Sequence, residues 1–275
     1  MGATPTPSGS GGRFFRSTLS VKYPAPPAES YQLADGVVAL GAGLAWLPTS
    51  RCILAADAHL AYEDVVGGAL PLWSTAEIIA TLALTAERMN ALEIVFLGDI
   101  VHGARMSEGA TRTVGSGLDV LRKRWVVTLV AGNHEGRTRA FRILGTTVEA
   151  CERDGWLLVH GDRPAALARR AIIGHLHPSL HMGGNASAPA FAASPALVVV
   201  PALTPYSPGL DLLSADFANA IGRWGVTRAD VHVVVAASDR VYPFGSLASL
   251  REILRAKTAP RPPAGVRRRR LSSDR

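Results

Sequence analysis

The sequence predicts an α/β (α+β) fold in which two mixed β-sheets pack together and are flanked by helices. Three observations predict it. Short runs rich in β-branched, aromatic and aliphatic residues have the length of buried strands rather than helices: Cys52-Ile53-Leu54-Ala55-Ala56, Ile94-Val95-Phe96-Leu97, Val126-Val127-Thr128-Leu129-Val130, Trp156-Leu157-Leu158-Val159 and Ala171-Ile172-Ile173. Such runs alternate with helical segments in the first half of the chain, while the second half is dominated by strands, a pattern that suits two packed sheets with helical outer layers. Each run also ends in oxygen or imidazole side chains, and the carboxyl edge of strands is where open α/β sheets place their ligands.

Composition bounds what the chain does. Its 275 residues are 48% apolar, enough for a packed core. No apolar run reaches the ~18–20 residues of a membrane helix, and the N-terminal stretch lacks the apolar centre of a signal peptide. No membrane association and a cytoplasmic location are the expectation. With Cys52 and Cys151 as its only cysteines, one chain can form neither a disulfide framework nor a four-thiolate zinc site. Cys52, inside a strand, reads as an inert core thiol. The net charge of +7 comes from the C-terminal end, where eight basic residues from Arg255 onward face one acid, Asp274, so that residues 1–254 are formally neutral. Arg267, Arg268, Arg269 and Arg270 stand in a Pro- and Ser-rich context that reads as disordered, either a solubilising tail or a phosphate-binding arm.

In chain order, residues 1–30 form a leader, Gly-, Ser- and Pro-rich in its first twelve positions, residues 31–255 the folded domain, and residues 256–275 a disordered basic tail. Residues 36–47 read as a glycine-broken hairpin leading into the first ligand-bearing strand. Ser74-Thr75-Ala76-Glu77 has the form of a capping box opening a helix of about fifteen residues. A second helix is predicted over 111–124, a strand or hairpin over 147–160, and two apolar runs over 171–203 separated by a glycine-rich loop at 181–189. A late strand at 231–236 and a closing helix at 246–255 complete the pattern.

The strand ends carry the chemistry. Asp57-Ala58-His59, Gly98-Asp99-Ile100-Val101-His102, Gly132-Asn133-His134-Glu135, His160-Gly161-Asp162 and Gly174-His175-Leu176-His177 each follow one of the apolar runs. Together they offer Asp57, His59, Asp99, Asn133, His160, His175 and His177 as metal ligands: two carboxylates, one amide oxygen and four imidazoles. Mixed nitrogen and oxygen donors suit manganese, iron, zinc or nickel better than calcium. Seven donors are too many for one transition ion and suit two that share a carboxylate. Two cations ~3.5–4 Å apart clamp a phosphoryl group and hold a hydroxide for in-line attack. Histidines satisfied singly in a core would be scattered without regard to strand ends. That plainer reading applies to His181 and His232.

Asp-x-His, Gly-Asp-x-x-His, Gly-Asn-His-Glu, His-Gly and Gly-His-x-His, in this order over residues 52–180, resemble the calcineurin-like metallophosphoesterase superfamily. The resemblance implies a four-layer αββα sandwich and two divalent ions, Mn(2+) foremost, with Zn(2+), Fe or Ni(2+) as alternatives. It assigns the first ion to Asp57, His59, Asp99 and His177, and the second to Asp99, Asn133, His160 and His175. It further implies that His134 contacts the scissile phosphate and stabilises or protonates the leaving oxygen, and His134, Asp99 and His102 are the catalytic candidates. A His at position 102 is more like the nuclease and phosphodiesterase branches than the phosphoprotein phosphatases. Phe96 to Gly103, Gly174 to Pro178, Pro201-Ala202-Leu203 and Gly209-Leu210-Asp211 look similar to the DNA-ligase-associated (PdeM-type) metallophosphoesterases. That group is linked to DNA repair, which implies a DNA ligase or helicase as partner. The present chain has Ala61-Tyr62 where the group usually shows Gly-Lys, and Glu135 where it usually shows Asp.

The expected function is a two-metal phosphoesterase cleaving phosphodiesters in nucleic acid. Asn133, His134, Arg137 and Arg139 are its substrate-binding candidates, with Arg142 beside them. A phosphomonoesterase or nucleotide pyrophosphatase acting on a small substrate would use the same ligands. A non-catalytic nucleic-acid-binding or scaffold protein is the reading from a different class. The sequence leaves the oligomeric state open.

Overall fold

Parallel pairing is what brings the ligand-bearing strand ends to one edge. The first sheet contains β1 (Ser30–Ala34), β2 (Val37–Leu40), β3 (Ala45–Leu47), β4 (Cys52–Ala55), β5 (Glu93–Leu97) and β6 (Val126–Val130), hydrogen-bonded in that order. Antiparallel pairs run from β1 to β4, whereas β4, β5 and β6 are parallel. The second sheet is built from β7 (Ala150–Arg153), β8 (Trp156–Val159), β9 (Ala171–Ile173), β10 (Pro178–Gly183), β11 (Ala186–Ala193), β12 (Leu197–Val199), β13 (Leu210–Asp211), β14 (His232–Ala236) and β15 (Val241–Ser246). Its order is β13-β10-β11-β12-β9-β8-β7, with β14 joining β11 to β15, and β8, β9 and β12 are parallel. The computed structural model describes residues 29–67, 72–103, 105–134, 140–164, 169–183 and 186–258. Nearly all of the predicted leader, the tail from 259 on, Arg137 and Arg139 lie outside the described residues.

The helices are α1 (Tyr62–Val66), α2 (Trp73–Arg88), α3 (Glu108–Arg122), α4 (Ala140–Leu144), α5 (Ala215–Gly222) and α6 (Leu247–Thr258). Side-chain alternation along the strands divides the core into three apolar layers, so the molecule has four layers of secondary structure. Ile94 and Phe96 of β5 face α2 and α3 through Ile78, Leu82, Val114 and Leu118. Val95 and Leu97 of the same strand face the second sheet, where they join Trp156, Ile172, Phe191 and Val234. On the far side, Ile173, Val233 and Val235 pack with Phe217, Trp224 and Leu247 from the region of α5 and α6. Strands buried on both faces need apolar residues at consecutive positions, which is why they read as continuous runs rather than alternating ones. No described helix is long and apolar enough to cross a membrane.

Three local expectations are corrected. Ser74 and Thr75 lie inside the first turn of α2, whose N-cap is Leu72 without a side-chain cap bond. The hydroxyl of Thr75 accepts from Ala61 N at 2.8 Å and Ser74 N donates to Glu63 at 2.9 Å, so these residues fasten α2 to α1 instead of capping it. The second helix begins earlier than its apolar spacing indicates, because Ser107 caps it by accepting from Ala110 N at 3.1 Å. The glycine-rich stretch at 181–189 is largely strand: β10 and β11 pair antiparallel through it.

At the end of the sheets away from the ligands, buried Glu93 ties the layers together. It meets Arg153 through two contacts of 2.7 and 2.8 Å and accepts from Thr128 at 2.6 Å. Burial opposes its charge, yet these donors hold its carboxyl below the ordinary value. Cys52 is wholly buried and burial pushes its thiol well above the usual range, which makes it unreactive.

Gly98 is the sharpest local constraint. Its φ is +83°, and a Cβ there would lie 2.3 Å from His160 Nδ1. Gly98→Ala is expected to destabilise the fold by about 2–3 kcal/mol through backbone strain and displacement of His160. Urea unfolding checks this, with a lower midpoint at unchanged slope.

Candidate metal centre

Sharp turns at the carboxyl ends of β4, β5, β6, β8 and β9 deliver the candidate ligands. Asp57, His59, Asp99, His175 and His177 all have positive φ, between 43° and 62°. Non-glycine residues seldom adopt this region, and such strain costs about 1–3 kcal/mol per residue, so the surrounding contacts must enforce it. They do so through backbone hydrogen bonds: His59 N and Leu60 N donate to the carbonyls of Asp99 and Ile100 at 2.9 and 2.7 Å. Thr204 N donates to Asp57 O at 3.3 Å, and Gly174 N to His160 O at 2.9 Å. A Cβ at position 174 would approach Asp57 Oδ2 to 2.7 Å, so only glycine leaves room for that carboxylate.

The side chains converge in two groups that share Asp99. Asp57, His59, Asp99 and His177 bring their ligand atoms within 4.8 Å of one another, as do Asp99, His160 and His175. Asp99 Oδ2 lies 3.9 Å from His59 Nε2, while Asp99 Oδ1 lies 3.5 Å from His160 Nε2 and accepts from His134 N at 2.9 Å. Its two oxygens thus face the two groups. His177 Nε2 stands 3.5 Å from both His59 Nε2 and Asp57 Oδ1. Asn133 Oδ1 is 2.9 Å from His160 Nε2, and His175 Nδ1 is 3.2 Å from the same nitrogen. Asp57, His59, Asp99 and His160 are buried, His175 and His177 half-buried, and Asn133 exposed.

The outer nitrogens of three of the imidazoles have partners, and for His160 the partner fixes the tautomer that faces inward. His160 Nδ1 donates to Leu97 O at 2.9 Å, leaving Nε2 as the donor atom for a cation. His177 Nδ1 contacts Ser207 Oγ at 2.6 Å, and His59 Nδ1 contacts His102 Nδ1 at 3.0 Å. His102 therefore sits behind His59. Nothing in its sequence context marked Ser207, because its role arises only when the loop after β12 folds over β10.

These residues fit divalent cations. Asp57 Oδ1 is buried without a hydrogen bond, and the inward nitrogens approach one another at distances that lone pairs sustain only with a proton or a cation between them. Burial foremost, and then the neighbouring imidazoles, push the pKa of His59 down to about 3. Burial also lowers those of His102 and His175, so the rings are held in the neutral form that binds metal. For His177 burial opposes the charge, but the Asp57 carboxylate 3.5 Å away, with Asp99, raises its pKa.

His134, 39% exposed, places Nε2 3.7 Å from Asp99 Oδ2, and its Nδ1 is 3.1 Å from His102 O. It lies at the mouth of the centre and outside both groups that share Asp99. A cavity of about 140 Å³ adjoins His177 and is lined by Ser179, Ser187, Thr204 and Ser207 together with Pro178, Pro189, Pro205 and Pro208. A second, of about 270 Å³, adjoins His160 and is lined by Gly132, Glu149, Asp162 and Arg163. Arg142 is exposed on α4. His181 is exposed, His232 half-buried, and neither joins the cluster.

Fold and site together define a mixed α/β sandwich with a His/Asp cluster, at one sheet edge, fit for divalent cations. Its backbone is similar to that of the nuclease MPE from Pseudomonas putida, with a TM-score of 0.57 and 21% identity over 80% of this chain and 99% of that one. The phosphoesterase YfcE from E. coli overlaps less, with a TM-score of 0.34 and 17% identity over 67% of this chain and 90% of that one. No family model matches the chain, and no curated protein sequence matches it significantly.

The lowered imidazoles predict an acid-labile metal-free fold. Unfolded histidines take up protons near pH ~6.5, whereas His59, His102 and His175 resist them in the fold, so the unfolded chain binds more protons and stability falls as pH drops below about 6.5. His177 works in the opposite sense, its contribution being present at low pH and lost as pH rises through its raised value. The thermal midpoint of chelator-stripped protein should decline between about pH 7 and about pH 4, with a shallower decline in His59→Asn.

Proposed function

We propose that this chain is a two-metal phosphoesterase that hydrolyses phosphodiester bonds in nucleic acid, with Mn(2+) as the preferred ion. One observation carries the reading: the Asp99 carboxylate directs one oxygen toward His59 and the other toward His160, the arrangement required of a bridge. The order of the five motifs and the likeness in fold to a nuclease support it. In this reading Asp57, His59, Asp99 and His177 hold one ion, and Asp99, Asn133, His160 and His175 hold the other. Bound there, the ions polarise a phosphoryl oxygen and lower the pKa of water. The protein's share is orientation and proton transfer. Ser207 and Leu97 O fix the rings of His177 and His160, and His102 acts through His59 as a positioning residue. His134 Nδ1 is held by His102 O, which leaves Nε2 to meet the phosphate and, when protonated, the departing oxygen. The similarity to DNA-ligase-associated enzymes makes a repair substrate the first to try.

The test is a panel of metals against substrates. Chelator-stripped protein reloaded with Mn(2+), Zn(2+), Ni(2+), Fe(2+) or Mg(2+) is assayed on a chromogenic diester, a chromogenic monoester and single-stranded DNA. Turnover of the diester and DNA above that of the monoester, highest with manganese, is expected. Faster monoester hydrolysis would move the function to a phosphomonoesterase, and none with any ion would leave a scaffold.

Asp99→Asn should abolish turnover and reduce bound metal to one ion or none per chain by elemental analysis. Two ions retained at wild-type affinity would refute the bridge. His134→Ala should keep its metal but lose about 10²–10⁴-fold in turnover, most with an alkoxide leaving group and least with nitrophenolate, which departs without a proton.

A further inference from the structure

A row of aromatic rings in contact leaves the metal centre and ends in solvent. His102 stacks on His134 with centroids 5.4 Å apart and planes 24° apart. Tyr62 meets the His102 ring at 4.4 Å with the planes tilted by 50°, and Tyr206 stacks on Tyr62 at 4.6 Å with the planes only 14° apart. Tyr206 remains 43% exposed. Its hydroxyl is turned toward the protein and donates to Glu63 Oε1 at 3.1 Å, while buried Glu63 also accepts from Ser74 N. The ring is thus pinned by its polar end and keeps part of its apolar surface in water. A tyrosine serving only the core would show the reverse, with its ring inside and its hydroxyl wet.

Both tyrosines are indexed to the metal centre through the backbone. Tyr62 follows His59 by three positions and begins α1 directly after Ala61, whose φ of +59° sets the turn. Tyr206 stands between Thr204, whose N–H holds Asp57 O, and Ser207, whose hydroxyl contacts His177. A flat aromatic surface held at a set position beside a phosphate-binding centre is what a strand's bases require, since every base offers a π-face and stacking tolerates any sequence.

We propose that Tyr206, backed by Tyr62, is a stacking platform for an unpaired nucleobase next to the scissile phosphodiester. The proposal rests on the phosphodiesterase reading above and adds to it a subsite that favours nucleotidyl over simple diesters. Glu63 is a positioning residue that fixes the ring.

Two measurements test it separately from the chemistry. Binding of a fluorescent oligothymidylate is followed in chelator, where no cleavage occurs. Tyr206→Ala should weaken it by roughly 5–150-fold, the value of one base–aromatic stack, while Tyr206→Phe, which keeps the ring but loses the bond to Glu63, should weaken it by a smaller factor. With manganese, the ratio of kcat/KM on the 4-nitrophenyl ester of thymidine 5′-phosphate to that on methyl 4-nitrophenyl phosphate should fall by a similar factor in Tyr206→Ala. Unchanged oligonucleotide binding, or an unchanged ratio even if both rates fall, would overturn the platform and reduce the ring to a support for His102. If the wild type hydrolyses neither ester with any ion, the phosphoesterase reading fails, and the binding measurement alone decides the platform. Circular dichroism and the thermal midpoint establish that each variant is folded.

Discussion

The site depends on the placement of a single carboxylate. Asp99 is buried at the end of β5 with a positive φ, one oxygen accepting from the backbone of His134 and the other turned toward His59. Holding it there requires Gly98 before it, because His160 packs where a side chain would be. It also requires the parallel register of β4, β5 and β6, which brings the ends of three strands level. An unpaired carboxylate in such a setting is costly, and the neutral imidazoles turn lone pairs toward it, so that the offset to that cost is a cation held between them.

The strain in the ligand turns follows the same logic. Five candidate ligands occupy the left-handed region, which the unfolded chain visits seldom. The core beneath supplies what offsets them: β5 is buried on both faces, and Glu93 with Arg153 clamps the opposite end of the sheets. Rigidity on one side of the molecule permits distortion on the other. Preorganised ligands need not rearrange when cations arrive, and this favours tight binding in a defined geometry.

Around the centre, the second tier of contacts comes from segments far apart in the chain. Ser207 reaches His177, Leu97 O holds His160, and the Tyr62–Tyr206 pair joins the first crossover to the loop after β12. These contacts decide which nitrogen of each ring faces a cation and which surfaces stay open to a substrate. The cavity beside His177 and the cleft beside His160 each adjoin one of the two groups.

Much of this was legible in the sequence. Doubly buried strands must be apolar without interruption, as the runs at 52–55, 94–97 and 171–173 are, and with the less fully buried runs at 126–130 and 156–159 they were readable as strands, the polar residues ending them as one set. Ligand chemistry, too, is a property of residue types. Short elements such as β1, β13, α1 and α5 were not readable, because their periodicity is too brief to rise above chance. Ser74 and Thr75 have the pattern of a cap, but the Thr75 hydroxyl and the Ser74 backbone N–H are spent on α1, since a tertiary partner outcompeted the local one. The platform tyrosines and Ser207 carry no pattern at all. Residue types and their order along the chain determined which atoms are available for chemistry. Only the tertiary structure decided which of them meet, because the distances that separate a ligand from a bystander are set by long-range packing and not by spacing in sequence.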